Sequence, residues 1–214
     1  MLEDKVIRPY RLKQTACIGL YSPSEPITLD RKDRFQKGIE RLESHGFRVK
    51  MGENVLAQHF YMAGTPNQRV ADIHGLARNA EVNLLLASWG GKSCNQILSL
   101  VDYSLLAEAR KPILAFSDGS VLLNAVTAMT GLITFHGPNV AGKSYESTHT
   151  DMALLRRARN SGTVNLLGSP DRVDTRVLRE GRAQGRLFGG NLSTFAMGII
   201  GSPYMPRFKE GILF

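Results

Sequence analysis

The sequence predicts an α/β fold in which a parallel sheet is flanked by helices, followed by the start of a second domain. Three observations support this. Short apolar runs alternate with amphipathic stretches of helical length through the first two-thirds of the chain. The most apolar run, Val82-Asn83-Leu84-Leu85-Leu86-Ala87, lacks the in–out alternation of a strand with one wet face, which suits a strand covered on both sides. Beyond about residue 159 the composition changes sharply, and apolar periodicity resumes only near residue 187.

In order, Thr15–Leu20 is the first predicted strand and ends in the breaker string Ser22-Pro23-Ser24-Glu25-Pro26. Asp30–His45 reads as a helix, with Phe35, Ile39 and Leu42 on one face and Gly46 as its stop. Phe47–Val49 is a second strand, and Gln68–Asn79 is a helix carrying Val70, Ile73, Leu76 and Ala77. The Val82–Ala87 strand halts at Trp89-Gly90-Gly91. One helix is expected from Ser93 to about Leu106, then a strand at Pro112–Phe116 and a helix over Gly119–Met129. Ile133–Phe135 is a further strand, Leu192–Ile200 a helix, and Gly211–Phe214 the beginning of a strand. This divides the chain into a flavodoxin-like α/β domain at 1–158, an arginine-rich linker at 159–186 and an incomplete second domain at 187–214.

Composition excludes several classes. With 214 residues, 43% hydrophobic and 21% charged, the chain is neither disordered nor fibrous. Its net charge of +8 is concentrated. Residues 156–186 hold eight arginines and three acids, giving 8 − 3 = +5. That stretch lacks interleaved aromatics or a nucleic-acid module, so it reads as a solvated connector and no nucleic-acid partner is expected. No apolar run reaches the roughly 20 residues of a membrane helix, and the polar N-terminus lacks a secretory centre. Cys17 and Cys94 stand far apart without metal-ligand spacing. The expected setting is the cytoplasm, with no membrane partner, metal or cofactor.

Ligands of open parallel sheets sit beyond the carboxyl ends of the strands. Three loops therefore draw attention: Ser22–Pro26, Trp89–Ser93 and Phe116–Gly119. In the last, a serine falls at an abrupt strand-to-helix junction. That is the layout of a nucleophile elbow, which lifts a hydroxyl above the sheet and aims the next backbone N–H at a developing oxyanion. Gly119 matches the closing glycine of that motif, and Ala115 stands where the first would be. Ser117 or Asp118 acting as a plain helix cap is the alternative. Gly90-Gly91 permits either close backbone approach to a ligand or an ordinary tight turn.

A third segment, Gly137-Pro138-Asn139-Val140-Ala141-Gly142-Lys143-Ser144, fits the phosphate-loop pattern letter for letter. No apolar helix follows it, so the match reads as coincidence while leaving nucleotide binding as an alternative. None of the five histidines pairs with another at metal-ligand spacing. His45 and His74 read as solvated, and His136 as a structural residue at the same end of the sheet.

In this order, the loops resemble the LD-carboxypeptidase and microcin C immunity-protein family of serine peptidases. The resemblance rests on Ser22-Pro23-Ser24; Gly64-Thr65 with Arg69, Ala71 and Asp72; Trp89-Gly90-Gly91 through Asn95-Gln96-Ile97-Leu98 to Val101-Asp102-Tyr103; Phe116-Ser117-Asp118; Thr134-Phe135-His136-Gly137-Pro138; and Gly189-Gly190-Asn191-Leu192 with Gly201-Ser202-Pro203-Tyr204. It implies a cytoplasmic serine hydrolase that cuts a C-terminal amide bond in a small peptide or peptide conjugate, either D-Ala of a murein tetrapeptide or a peptide–nucleotide antibiotic. It implies Ser117 as nucleophile, the N–H of Asp118 with that of Gly90 or Gly91 as oxyanion hole, and a homodimer as the assembly.

The family's catalytic Glu follows a strand resembling Gly211–Phe214, and its His lies further on. Glu210 precedes the strand and does not match. Losing a key triad member costs on the order of a millionfold in kcat. The chain is therefore expected to be a truncated relative, inactive alone, and a non-catalytic peptide-binding scaffold is the competing reading.

Overall fold

The computed structural model describes residues 6–12, 15–142 and 177–214. Five parallel strands form the main sheet: β1 (Cys17–Tyr21), β2 (Arg48–Met51), β3 (Val82–Ala87), β4 (Ile113–Ala115) and β5 (Phe135–His136), in the order β2-β1-β3-β4-β5. This is the flavodoxin-like order, and the chain reverses its direction of winding between β1 and β3. Helices α1 (Leu29–Ser44), α2 (Pro66–Arg78), α3 (Tyr103–Ala109) and α4 (Gly119–Thr130) connect the strands.

The central strand β3 explains the two-faced core. Val82, Leu85 and Ala87 join the cluster that contains α2 and α4 residues such as Ile73, Leu122 and Val126. Leu84 and Leu86 face the other way, into the cluster with Phe35 and Leu42 of α1. All three leucines are fully buried, each contributing about 1.5–3 kcal/mol relative to exposure. The one polar member, Asn83, accepts the Cys17 amide at 2.9 Å where the β1–β3 register shifts.

Helix boundaries follow local chemistry. Thr65 and Gln68 form a reciprocal capping box at the start of α2. The single helix expected over Ser93–Leu106 is instead two pieces, a 3₁₀ turn at Cys94–Ile97 and α3. Asp102 starts the second by accepting the Leu105 amide at 2.9 Å, while its own amide donates to His74 Nε2 at 2.8 Å. His74 is thus hydrogen-bonded and partly buried rather than solvated. The last sheet strand also begins two residues later than Ile133.

In the C-terminal segment, β6 (Arg186–Phe188) and β7 (Gly211–Leu213) pair in parallel, with α5 (Leu192–Gly198) between them. The strand at β6 was not anticipated, and it begins on Arg186, within the expected linker. Residues 143–176, which include most of the arginine-rich stretch and His149, lie outside the described residues. Phe195 and Ile199 insert into the core cluster shared with α4, and the Asn124 side chain brackets Gly189, donating to its carbonyl at 2.7 Å and accepting its amide at 3.0 Å.

Candidate active site

The three loops singled out from the sequence meet at the carboxyl end of the sheet, and they are joined by side chains. At the end of β4 the chain turns through Phe116-Ser117-Asp118 into α4. Ser117 sits at φ +57°, a left-handed conformation that few residues other than glycine adopt without cost. Gly119 is required for the turn, since a Cβ there would stand 2.6 Å from that of Ala115. Neither Ser117 nor Asp118 makes a side-chain cap bond to α4, so the plain capping alternative fails.

Asp118 turns its buried carboxylate away from the helix. Its Oδ2 accepts Ser24 Oγ at 2.5 Å and the Cys94 amide at 2.9 Å. Ser24 Oγ in turn accepts the Ser93 amide at 3.1 Å. Arg69, 1% exposed, completes the weld. Its Nη1 donates to the carbonyls of Pro23 and Ser93, both at 3.0 Å, and Nη2 donates to Gln96 Oε1 at 2.8 Å. Burial pulls the Arg69 pKa down, while nearby Cys94 and Asp118 oppose the shift. Burial and the adjacent Asp118 push the Cys94 thiol well up, which makes it an inert core residue.

Gly90 faces the serine. A Cβ on it would lie 3.1 Å from Ser117 Cβ and 3.4 Å from Oγ. Gly91, at φ +146°, passes so close to Ser24 Oγ and Glu25 that a side chain would collide. Trp89 packs under Arg31, whose guanidinium lies 4.7 Å from the ring centroid and pairs with Glu25 at 3.1 Å. Among the described residues, Ser117 Oγ makes no hydrogen bond, and the Gly90, Gly91 and Asp118 amides have no acceptor. The hydroxyl of this half-buried serine and all three amides are therefore uncommitted.

His136 lies nearby without reaching Ser117. Its ring is 5.1 Å from that of Phe116 and 5.5 Å from that of Phe214. Its buried Nε2 is unpartnered, and burial lowers its pKa. Among the described residues, no three His, Cys, Asp or Glu side chains are grouped to hold a metal ion.

The phosphate-loop lookalike is built differently from its letters. The Gly137, Val140, Ala141 and Gly142 amides donate to the carbonyls of Ala115, Ala87, Ser88 and Asn139 at 2.9–3.1 Å. A phosphate cradle needs such amides pointing at the ligand. Lys143 and Ser144 lie outside the described residues. Sequence reasoning missed Arg69 and Asn139 as organisers of the site. Arg69 stood among the residues that carry the resemblance but with no role attached, and the signal for Asn139 was an Asn just past a strand end.

A buried parallel strand, a left-handed serine and a helix opening on glycine give this protein the shape of the nucleophile-elbow class of α/β proteins. The family pattern described as the LD-carboxypeptidase N-terminal domain matches residues 18–137, and the chain belongs to that family. It is 31% identical to the microcin C7 self-immunity protein of Escherichia coli over 92% of its own length and 65% of that protein's. It is 30% identical to the murein tetrapeptide carboxypeptidase of Pseudomonas aeruginosa, covering 88% of this chain and 62% of the relative. A solved structure of the microcin C7 self-immunity protein with aspartyl sulfamoyl adenosine superposes with a TM-score of 0.78 at 28% identity, over 98% of this chain and 70% of that one. The chain thus spans a little under two-thirds of the curated relatives it matches.

Proposed function

We propose that this chain carries the nucleophile of an LD-carboxypeptidase-like serine hydrolase that releases a C-terminal residue from a small peptide or peptide–nucleotide conjugate. One observation carries the reading: Ser117, held in a left-handed elbow, presents an uncommitted hydroxyl to the backbone of Gly90. In the reaction, Ser117 Oγ attacks the scissile carbonyl carbon. The oxyanion is received by the Asp118 N–H and that of Gly90 or Gly91. The C–N bond breaks, the amine leaves with a proton, and water hydrolyses the acyl-enzyme.

A base must take the serine proton. Among the described residues no histidine or carboxylate is hydrogen-bonded to Ser117 Oγ. We assign the base to residues beyond the described ones and expect turnover wherever such a residue completes the site. The same observation favours a second reading, a peptide-binding scaffold without catalysis. The division into an α/β domain at 1–158, a linker at 159–186 and a second unit from 187, a cytoplasmic setting and homodimeric assembly belong to the same proposal. Among the described residues no helix is long and apolar enough to cross a membrane.

The test is mass-spectrometric detection of D-Ala released from a murein tetrapeptide, and of products from aspartyl sulfamoyl adenosine, alongside calorimetric binding of both. Saturable binding is expected, and any turnover disappears in Ser117→Ala. Turnover that survives Ser117→Ala would remove the serine from its role, and binding with no turnover in any assembly of the chain would favour the scaffold.

A further inference from the structure

We infer that Asn139 is a positioning residue for the nucleophile elbow, and that residues 137–142 around it form an elbow brace. The meaning of this for catalysis rests on the hydrolase reading above. Sheet pairing stops just short of the turn, because β5 ends at His136 opposite Ala115. Phe116, the residue that leads into Ser117, consequently has no strand neighbour for its N–H or carbonyl. Its side chain, 45% exposed, meets the His136 ring at 5.1 Å but supplies no partner for these backbone groups.

Asn139, buried to 4% exposure, supplies both missing partners. Its Oδ1 accepts the Phe116 amide at 2.9 Å, and its Nδ2 donates to the Phe116 carbonyl at 3.4 Å. The side-chain amide thus pairs with Phe116 as a neighbouring strand would. The bonds from Gly137, Val140 and Ala141 to the carbonyls of Ala115, Ala87 and Ser88 fix Asn139 itself across the ends of β4 and β3. The Phe116 carbonyl also receives the Gly119 amide at 3.1 Å, so the brace holds the turn at its entry and its exit. A strained conformation such as that of Ser117 persists only where surrounding bonds over-determine it. Asn139 contributes two of those bonds without touching the serine.

The test replaces the serine by a reporter that needs no catalytic base. In a Ser117→Cys background, the rate of alkylation by iodoacetamide is followed against pH; Cys17 and Cys94 are buried and stay silent. A thiol at a helix N-terminus ionises below the ordinary value of about 8.5. Adding Asn139→Ala is expected to raise the alkylation midpoint by about one pH unit and to slow the reaction at pH 7 about tenfold. The amide of Phe116 should lose its hydrogen-exchange protection in this variant and keep it in Asn139→Asp, which is isosteric and retains the shorter bond. Should Asn139→Ala fail to fold, Asn139→Leu makes the same deletion with the volume kept.

An unchanged midpoint and rate in Asn139→Ala or Asn139→Leu, or an unprotected Phe116 amide in the parent, would overturn the assignment. A normal alkylation contrast in a chain that neither binds nor cuts peptides would count against the hydrolase reading and leave the brace standing.

Discussion

The sheet-end loops and the C-terminal segment are held in opposite ways. At the loops, a buried guanidinium, a buried carboxylate and two buried serines bind three chain segments to one another, and the cross-links are redundant. The C-terminal segment is held chiefly by apolar and ring packing. Phe195 and Ile199 insert in the core, Phe188, Tyr204 and Met205 lie against it, Tyr204 stacks on Tyr103, and Phe214 sits edge-on to His136. The Asn124 bracket on Gly189 is its polar anchor to the main domain. Leu187, Leu192, Met197 and Ile200 stay exposed around its two-stranded sheet. The first region is built to keep an unfavourable backbone conformation. The second is a small sheet that leans on a finished core.

The largest effect should come from cutting the weld. Arg69→Met leaves the Pro23 carbonyl and Gln96 Oε1 without a donor, takes one of two donors from the Ser93 carbonyl, and removes the positive charge near Asp118. A loss of about 3–5 kcal/mol in denaturant-unfolding stability is expected. A loss no larger than that of the next variant would erase the contrast between the regions.

Asn124→Ala strips the bracket from Gly189 and should cost about 1–3 kcal/mol. Its signature is local, with faster hydrogen exchange over residues 186–214 and unchanged protection in β3. Exchange that rises equally in both regions would mean that they unfold as one unit.

The smallest effect is a pH dependence. Burial lowers the pKa of both His136 and His74 from the ordinary 6.5, so each folds preferentially in its neutral form. The unfolded chain binds more protons just below that value, so stability is level above about pH 7 and falls as pH drops through 6.5. His74 has a geometric reason as well, since its Nε2 accepts the Asp102 amide. His136→Gln should flatten part of the slope in thermal melts taken between pH 5 and 8.

Much of this was legible in the sequence because it depends on local chemistry. Val82–Ala87 reads as a doubly covered strand from its side chains alone, and Ser117 stands at a junction whose apolar strand and glycine-led helix are both continuous in sequence. The elements that escaped depend on distant partners. Arg69 bonds to backbone 24 and 46 residues away, and a charged residue on a helix gives no local sign of that. β6 pairs with a strand 25 residues further along, and three residues offer no periodicity. The break between Ile97 and Tyr103 turns on Asp102 choosing to cap, which a run of helix-compatible residues conceals. Asn139 was hidden most completely, because its letters spell a different motif.

The wall opposite Ser117 is made of main chain at Gly90, where a methyl group would stand only 3.1 Å from the serine Cβ and crowd it. A wall of backbone has no rotamers, so it can neither widen for a bulky substrate nor close on a slim one. The gap beside the hydroxyl is therefore a fixed gauge, and on the hydrolase reading proposed above any change of substrate preference would have to be written at the rim, where side chains are free to vary.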